Sequence, residues 1–232
     1  MPKATFKRPA HREVTAVLSR LNSGFLARAQ CYFGGGTRIV LELGEYRESK
    51  DIDFLCSSRE GYRLLRESVS ESSLGPIVAS GISLAREVRA DQYGIRTFLE
   101  TKSVKLKFEI IREARIELEA EEIAALPVAC LARKHCFAEK FLANADRGMD
   151  GSTLSRDIVD LAYMIEGWSR ADGEAGLAIA KAAYGDSVQR SLAAVTRKMR
   201  DDKAYRNRCV EGLGLTDSKV MSAGLRELAA FR

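Results

Sequence analysis

The sequence predicts an α+β chain: a mixed β-sheet core with flanking helices, followed by an all-helical C-terminal region. Two observations carry this. Before about residue 125, runs with period-two alternation are interleaved with runs of helical period, and after Pro127 the strand signals stop. Beyond that point apolar residues recur at three- and four-residue spacing, as in Ile158, Leu161, Ala162 and Ile165. The two parts so drawn are residues 1–125 and 126–232.

Each element has its own signal. Residues 10–21 place Val14, Val17, Leu18 and Leu21 on one helical face. The run CYF at 31–33 reads as a short strand before three glycines, and 37–43 as a helix starting at that turn. DIDFLC at 51–56 reads as a strand and 58–69 as a helix. SLAREVRA, IRTFLET and SVKLKFEII read as three strands, the first two joined by a DQYG turn. In the second part, helical patterns cover VACLARKHCFAEKFLANADR, SRDIVDLAYMIEGW, and about 174–184, 186–201 and 216–230. Thr216 or Asp217 serves as N-cap of the last.

Bulk properties narrow the function classes. A chain of 232 residues has room for one large or two small domains. With 46% hydrophobic and 30% charged residues, it has an ordinary globular composition. No run approaches the roughly 18–20 apolar residues of a membrane helix, and the N-terminus shows no apolar signal core. Cys31, Cys56, Cys130, Cys136 and Cys209 have no CxxC spacing and read as reduced thiols of a cytoplasmic protein. A zinc site on Cys130, His135 and Cys136 lacks a second ligand cluster. The net charge of +5 biases the chain toward anionic partners such as nucleotides or nucleic acid.

Asp51 and Asp53 raise the chemical question. On a strand, residues two apart face the same side, about 6.5–7 Å from each other, while Ile52 and Phe54 turn into the core. Two carboxylates this close repel, and burial raises their pKa values. Two Mg²⁺ ions would stabilise the pair as a dianion, and such a two-metal site serves phosphoryl and nucleotidyl transfer. The plain alternative is a solvated strand start. Gly35 and Gly36 allow close backbone approach, and the start of the helix at Thr37 attracts phosphate; the alternative here is a simple tight turn. In SVKLKFEII, Lys105, Lys107 and Glu109 alternate with a buried face of Val104, Leu106, Phe108 and Ile110. If this strand lies beside the Asp51 strand, Glu109 joins the metal site; otherwise it is a solvated surface acid.

A strand, a glycine turn opening a helix, DxD on the next strand and a later acid on a neighbouring strand resemble the polymerase-β-type nucleotidyltransferase superfamily. The string GGGTRIVLELGEYRESKDIDF is more narrowly similar to the AbiEii/AbiGii toxin family and its MenT-like relatives. The matching positions are Gly35, Gly36, Thr37, Arg47, Ser49, Asp51 and Asp53. A helical K-x-x-A-x-x-x-R motif is matched by Lys140, Ala143 and Arg147, and a [KR]-D-x-x-D-L motif by Arg156, Asp157, Asp160 and Leu161. The first motif departs in having three glycines, and the third acid is Glu where many superfamily members have Asp. The motifs span residues 33–165, and 170–232 carry none.

The resemblance implies a nucleotidyltransferase core at 1–125 and a helical domain at 126–232 that completes the nucleotide site. It implies catalysis by Asp51, Asp53, Glu109, Lys140 and Asp157, with Asp51, Asp53 and Glu109 holding Mg²⁺. Gly35, Gly36, Thr37, Arg47, Ser49, Lys140 and Arg147 would bind the NTP, with Lys140 on the triphosphate; Asp157 and Asp160 share a helix face by their spacing, and either could orient Lys140 or stabilise a helix N-terminus. For Lys140 and Arg147 the plain alternative is a solvated basic stripe; in either role, removing Lys140 is expected to leave stability nearly unchanged. The implied function is a toxin of a toxin–antitoxin pair that adds NMP to an acceptor, with the tRNA 3′ end first among candidates and a cognate antitoxin as protein partner. Rival readings are a small-molecule or protein nucleotidyltransferase and a catalytically silent nucleotide-binding module. RKMRDDKAYRNR at 197–208 could track an RNA backbone, with Tyr205 stacking on an unpaired base, or could be a solvated helix end.

Overall fold

The computed structural model describes residues 6–79, 81–101 and 103–231. The reading of the N-terminus rests partly on residues 1–5, which lie outside the described residues. Two compact units form. One runs to residue 41 and takes up again at 49–132; the other combines 42–48 with the chain from 133 onward.

The first unit begins with α1 (Pro9–Leu18), which has proline at its start, where the missing N–H breaks no helical bond. Then come α2 (Ser23–Arg28), β1 (Cys31–Phe33), α3 (Gly35–Glu42), β2 (Ile52–Cys56) and α4 (Arg59–Glu67). The strands β3 (Ser83–Leu84), β4 (Arg89–Ala90), β5 (Gly94–Glu100), β6 (Lys105–Arg112), β7 (Ala120–Glu121) and β8 (Cys130–Leu131) complete the sheet. Its order is β3-β5-β6-β2-β1-β8-β7, with β4 also on β5. The β2–β6 and β1–β8 pairs are parallel and the others antiparallel, so the sheet is mixed. Ile52, Phe54, Phe108 and Ile110 alternate into a common core, where Phe54 lies 5.6 Å from Phe33 and 6.0 Å from Phe108, ring centre to ring centre.

Several elements differ from expectation. SLAREVRA is two short strands rather than one. Between them the Thr97 hydroxyl donates to the Arg86 carbonyl, and the Val88 N–H leaves the sheet for the Glu71 carbonyl. Strand structure also persists past Pro127, because Cys130–Leu131 is fully buried beside β1. A short apolar run such as VACLA cannot be assigned to helix or strand by period alone. Helix α2, only six residues long and capped by the Asn22 side chain, carries no periodic signal of its own.

The second unit is helical: α5 (Arg133–Arg147), α6 (Arg156–Gly167), α7 (Arg170–Tyr184), α8 (Ser187–Asp201), α9 (Lys203–Leu213) and α10 (Ser218–Leu228). Helix α5 packs on α6, α7 and α8, and α10 packs on α6. The α6–α10 approach is close: a β-carbon at Gly224 would lie 2.0 Å from the Ala162 carbonyl oxygen. Asp217 is the cap of α10, accepting from the Lys219 and Val220 N–H groups. Helix α9, in the basic stretch, is an addition to the expected set, and Asp202 caps it. Residues 42–48 join this unit through side chains and backbone: the Tyr46 ring stacks on Tyr163 at 3.8 Å, and the Tyr46 carbonyl accepts the Thr216 N–H.

Candidate active site

In the sheet unit the glycine turn and the aspartate strand are joined directly. The Gly34 N–H donates to the Asp53 carbonyl at 2.8 Å. Gly35 sits at φ +67°, a left-handed conformation that glycine adopts without a side-chain penalty, and a β-carbon there would lie 2.5 Å from Asp53 Oδ2. The carboxylate of Asp53 therefore occupies the space that the missing side chain leaves, at the first residue of α3. Gly36 is half-buried at the same turn, while Thr37 is buried with its hydroxyl 2.9 Å from that of Ser49. The Ser49 N–H donates to Nε2 of His11, a fully buried residue of α1. Thr37 and Ser49 thus brace the turn against the loop that leads to Asp51. His11 shares the apolar face of Val14, Val17 and Leu18; nothing in its spacing marked it as that anchor.

Glu109 is in register with Asp53 on the adjacent parallel strand, so both side chains leave the same face of the sheet. Its oxygens are already engaged: Arg96 Nε donates to Oε1 at 3.1 Å, and the Lys107 ammonium pairs with Oε2. Asp51 lies one residue before β2, where strand alternation no longer fixes its direction. Among the described residues no group of three or more His, Cys, Asp or Glu is close enough to hold a metal ion. The Asp51, Asp53 and Glu109 constellation is thus not assembled as a closed metal centre. Arg96 and Lys107 neutralise the third acid, and Asp51 stands outside the strand. The donor chemistry does fit a hard divalent cation at Asp51 and Asp53, two carboxylates of which one lies in the Gly35 cradle.

The helical unit carries a second group of charges. Lys140, 7% exposed, donates from Nζ to Asp157 Oδ1 at 2.9 Å and reaches Asp160 Oδ2 at 2.7 Å. Arg147 binds Asp157 through Nε at 2.7 Å and through Nη2 at 3.1 Å. Arg47, 5% exposed, grips Asp160 with two 2.8 Å bonds, and the Tyr46 hydroxyl donates to Asp160 Oδ1 at 2.6 Å. The α5 spacing puts Lys140 and Arg147 on one face, and the α6 spacing does the same for Asp157 and Asp160. Three cations against two carboxylates leave a formal charge of +1.

Burial acts on every member and disfavours its charged form. For Asp157 that effect is outweighed by the charge of Lys140 and by the bonds from Arg147, and its pKa falls well below the usual carboxylate range. For Asp160 the charges of Arg47 and Lys140 do the same. Lys140 is raised, because its two aspartates outweigh its desolvation. Two expectations change here. Arg47 is engaged by Asp160, and Lys140 is a buried cation held by two aspartates as well as a candidate ligand, so its removal is expected to cost stability. Both Asp157 and Asp160 orient Lys140, not one of them.

Tyr205 also departs from expectation. It is 8% exposed, its hydroxyl lies 2.8 Å from that of Ser155, and its ring is covered by Lys198 Nζ at 3.9 Å from the ring centre and by the Arg208 guanidinium at 5.0 Å. It has no open face to stack on a base. Arg206 donates to the Met199 and Arg200 carbonyls at the end of α8.

The sheet unit thus carries a glycine turn that wraps one aspartate with an acid in register beside it, and the helical unit separately carries a cationic cluster. The nucleotidyl transferase AbiEii toxin family, of the type IV toxin–antitoxin system, matches residues 16–220, and the chain belongs to it. It is accordingly a nucleotidyltransferase, of the toxin type in such systems. Comparison with curated proteins gave no match. Among solved structures, an antigenic nucleotidyltransferase-like protein from Paracoccidioides brasiliensis is similar at 14% identity and a TM-score of 0.48, over 94% of this chain and 99% of that one.

Proposed function

We propose that the chain transfers NMP from an NTP to an RNA acceptor, with the tRNA 3′ end first among candidates, in the presence of Mg²⁺. It would act in the cytoplasm as the toxin of a pair with a cognate antitoxin protein. The observation that carries the catalytic assignment is the Asp53 carboxylate seated against Gly35 at the opening of α3. Asp51 and Asp53 would hold the cation, and Glu109 becomes a third donor when its pairs with Arg96 and Lys107 open. When bound, the metal supplies charge neutralisation at the triphosphate and acidification of the acceptor hydroxyl. The backbone N–H groups of Gly35, Gly36 and Thr37, at the first turn of α3, take phosphate oxygens. Thr37 and Ser49 act as positioning residues for that turn. In the helical unit Lys140, Arg147 and Asp157 form a phosphate-directed group of net positive charge, and Arg47 and Asp160 position Lys140.

The acceptor is tested by incubating the chain with each α-labelled NTP, Mg²⁺ and a mixture of total tRNA, protein and small-molecule alcohols. Label is expected in RNA. Label in protein or a small molecule would replace the RNA reading, and no label with any NTP would leave a silent nucleotide-binding module. All five cysteines are buried and form no disulfide, and among the described residues no helix is long and apolar enough to cross a membrane.

A further inference from the structure

On the sheet unit a cleft of about 300 Å³ opens between α4 and the end of β6. Arg59, Arg63, Arg66 and Arg112 line it with Tyr62 and Gln92, against a single acid, Glu60. None of the four guanidiniums is in an ion pair with a described residue, whereas Arg38, Arg47, Arg96, Arg115, Arg133 and Arg147 all are. Arg59, Arg63 and Arg66 follow the i, i+4, i+7 row of α4, with the buried Tyr62 beside the row and Leu65 turned into the core. The row advances about 6 Å and then about 4.5 Å along the helix.

The β4–β5 turn, next to the lining residue Gln92, carries an exposed aromatic ring. The Tyr62 hydroxyl donates to the Asp91 carbonyl at 2.7 Å and ties the β4–β5 turn to α4. Asp91 Oδ1 accepts the Tyr93 and Gly94 N–H groups, and the Arg112 N–H donates to the Tyr93 carbonyl. Held on both sides, Tyr93 is nonetheless 65% exposed. Unlike Tyr205, which is buried, it presents its ring to solvent. Arg112 pairs with Cys56 three residues along the same two strands from the Asp53–Glu109 pair, about 10 Å at about 3.3 Å per residue, and by strand alternation its side chain leaves the opposite face of the sheet.

We infer that this arginine cleft and Tyr93 form a docking surface for the phosphodiester backbone of single-stranded RNA, with one unpaired base stacked on Tyr93. Unpaired cations on one row supply the sequence-independent attraction to phosphates, and an exposed aromatic on the adjoining turn is what separates a nucleic acid from an acidic protein as occupant. The inference rests on the reading of the acceptor as RNA, and it places that RNA on α4 and the β4–β5 turn rather than on residues 197–208.

The test is direct binding by the full chain, without NTP, so that it does not depend on transfer. Fluorescence anisotropy with a labelled 12-nucleotide oligouridylate is measured across a salt series for wild type, Arg63→Glu/Arg66→Glu and Tyr93→Ala, each checked for an unchanged melting curve. The double variant is expected to bind at least about 10-fold more weakly, with a salt slope shallower by about 0.7 for each phosphate that is no longer neutralised. Tyr93→Ala is expected to weaken the oligonucleotide about 5-fold or more and to leave inorganic polyphosphate unaffected. Wild-type affinity and slope in the double variant would overturn the proposal. A Tyr93→Ala effect that is equal for oligonucleotide and polyphosphate would overturn the nucleic-acid assignment. So would a double variant that loses only polyglutamate, which would give the cleft to an acidic protein. If the NTP-labelling experiment fails while oligouridylate binding behaves as expected, the transfer reading falls and the docking surface stands.

Discussion

At the residue scale, Lys140 shows how a ligand candidate can also be a structural member. Its ammonium is buried between Asp157 and Asp160. Removing one partner of a buried charge network strands the others, at a cost of about 3–5 kcal/mol. Lys140→Ala is therefore expected to lower the urea midpoint substantially, even without nucleotide; an unchanged midpoint would show that solvent replaces the ammonium. The spacing of Lys140, Arg147, Asp157 and Asp160 was legible in the sequence because helical period places each pair on one face. Their mutual bonds are set by how α5 meets α6, which period does not reveal. The role of Arg47 as partner of Asp160 was not legible either, because it joins positions more than a hundred residues apart. The bond between His11 and Ser49 is likewise tertiary.

At the scale of elements, the glycine turn and β2 act as one device. Gly35→Ala would put a methyl against the Asp53 carboxylate and force a non-glycine residue to φ +67°. Such strain costs about 1–3 kcal/mol. A lower melting temperature and weaker NTP binding are expected for Gly35→Ala, and calorimetry with and without NTP measures both. Equal curves for the variant and wild type would mean that the turn relaxes freely. Most long elements were readable from period and caps: β6 alternates Leu106, Phe108 and Ile110 inward as its sequence does, and Asp217 caps α10. What failed were short pieces set by tertiary packing. β8 is strand because it lies beside β1, and β3 and β4 are separate because Thr97 and Glu71 divert the backbone bonds between them.

For the whole molecule, pH and catalysis give the broadest tests. Asp157 and Asp160 have folded pKa values below their unfolded value of about 3.9, so their stabilisation is present above that value and is lost as pH falls through the folded ones. Lys140 is raised, so its share is present below about 10.4 and is lost as pH rises through its folded value. The stability gap between wild type and Asp157→Asn, from urea titrations at about pH 2–9, should be flat through neutrality and shrink below about pH 4. A gap independent of pH down to about pH 2 would contradict the ion-pair account. The central claim, that Asp53 in its glycine cradle serves metal-dependent nucleotidyl transfer, is tested most directly by comparing Mg²⁺-dependent pyrophosphate release from NTP and RNA by wild type and Asp53→Asn at matched melting temperature. The account predicts a loss of about 10³-fold or more in the variant, since one metal-binding carboxylate carries several kcal/mol of transition-state stabilisation. Release by a folded Asp53→Asn protein at near the wild-type rate would contradict it.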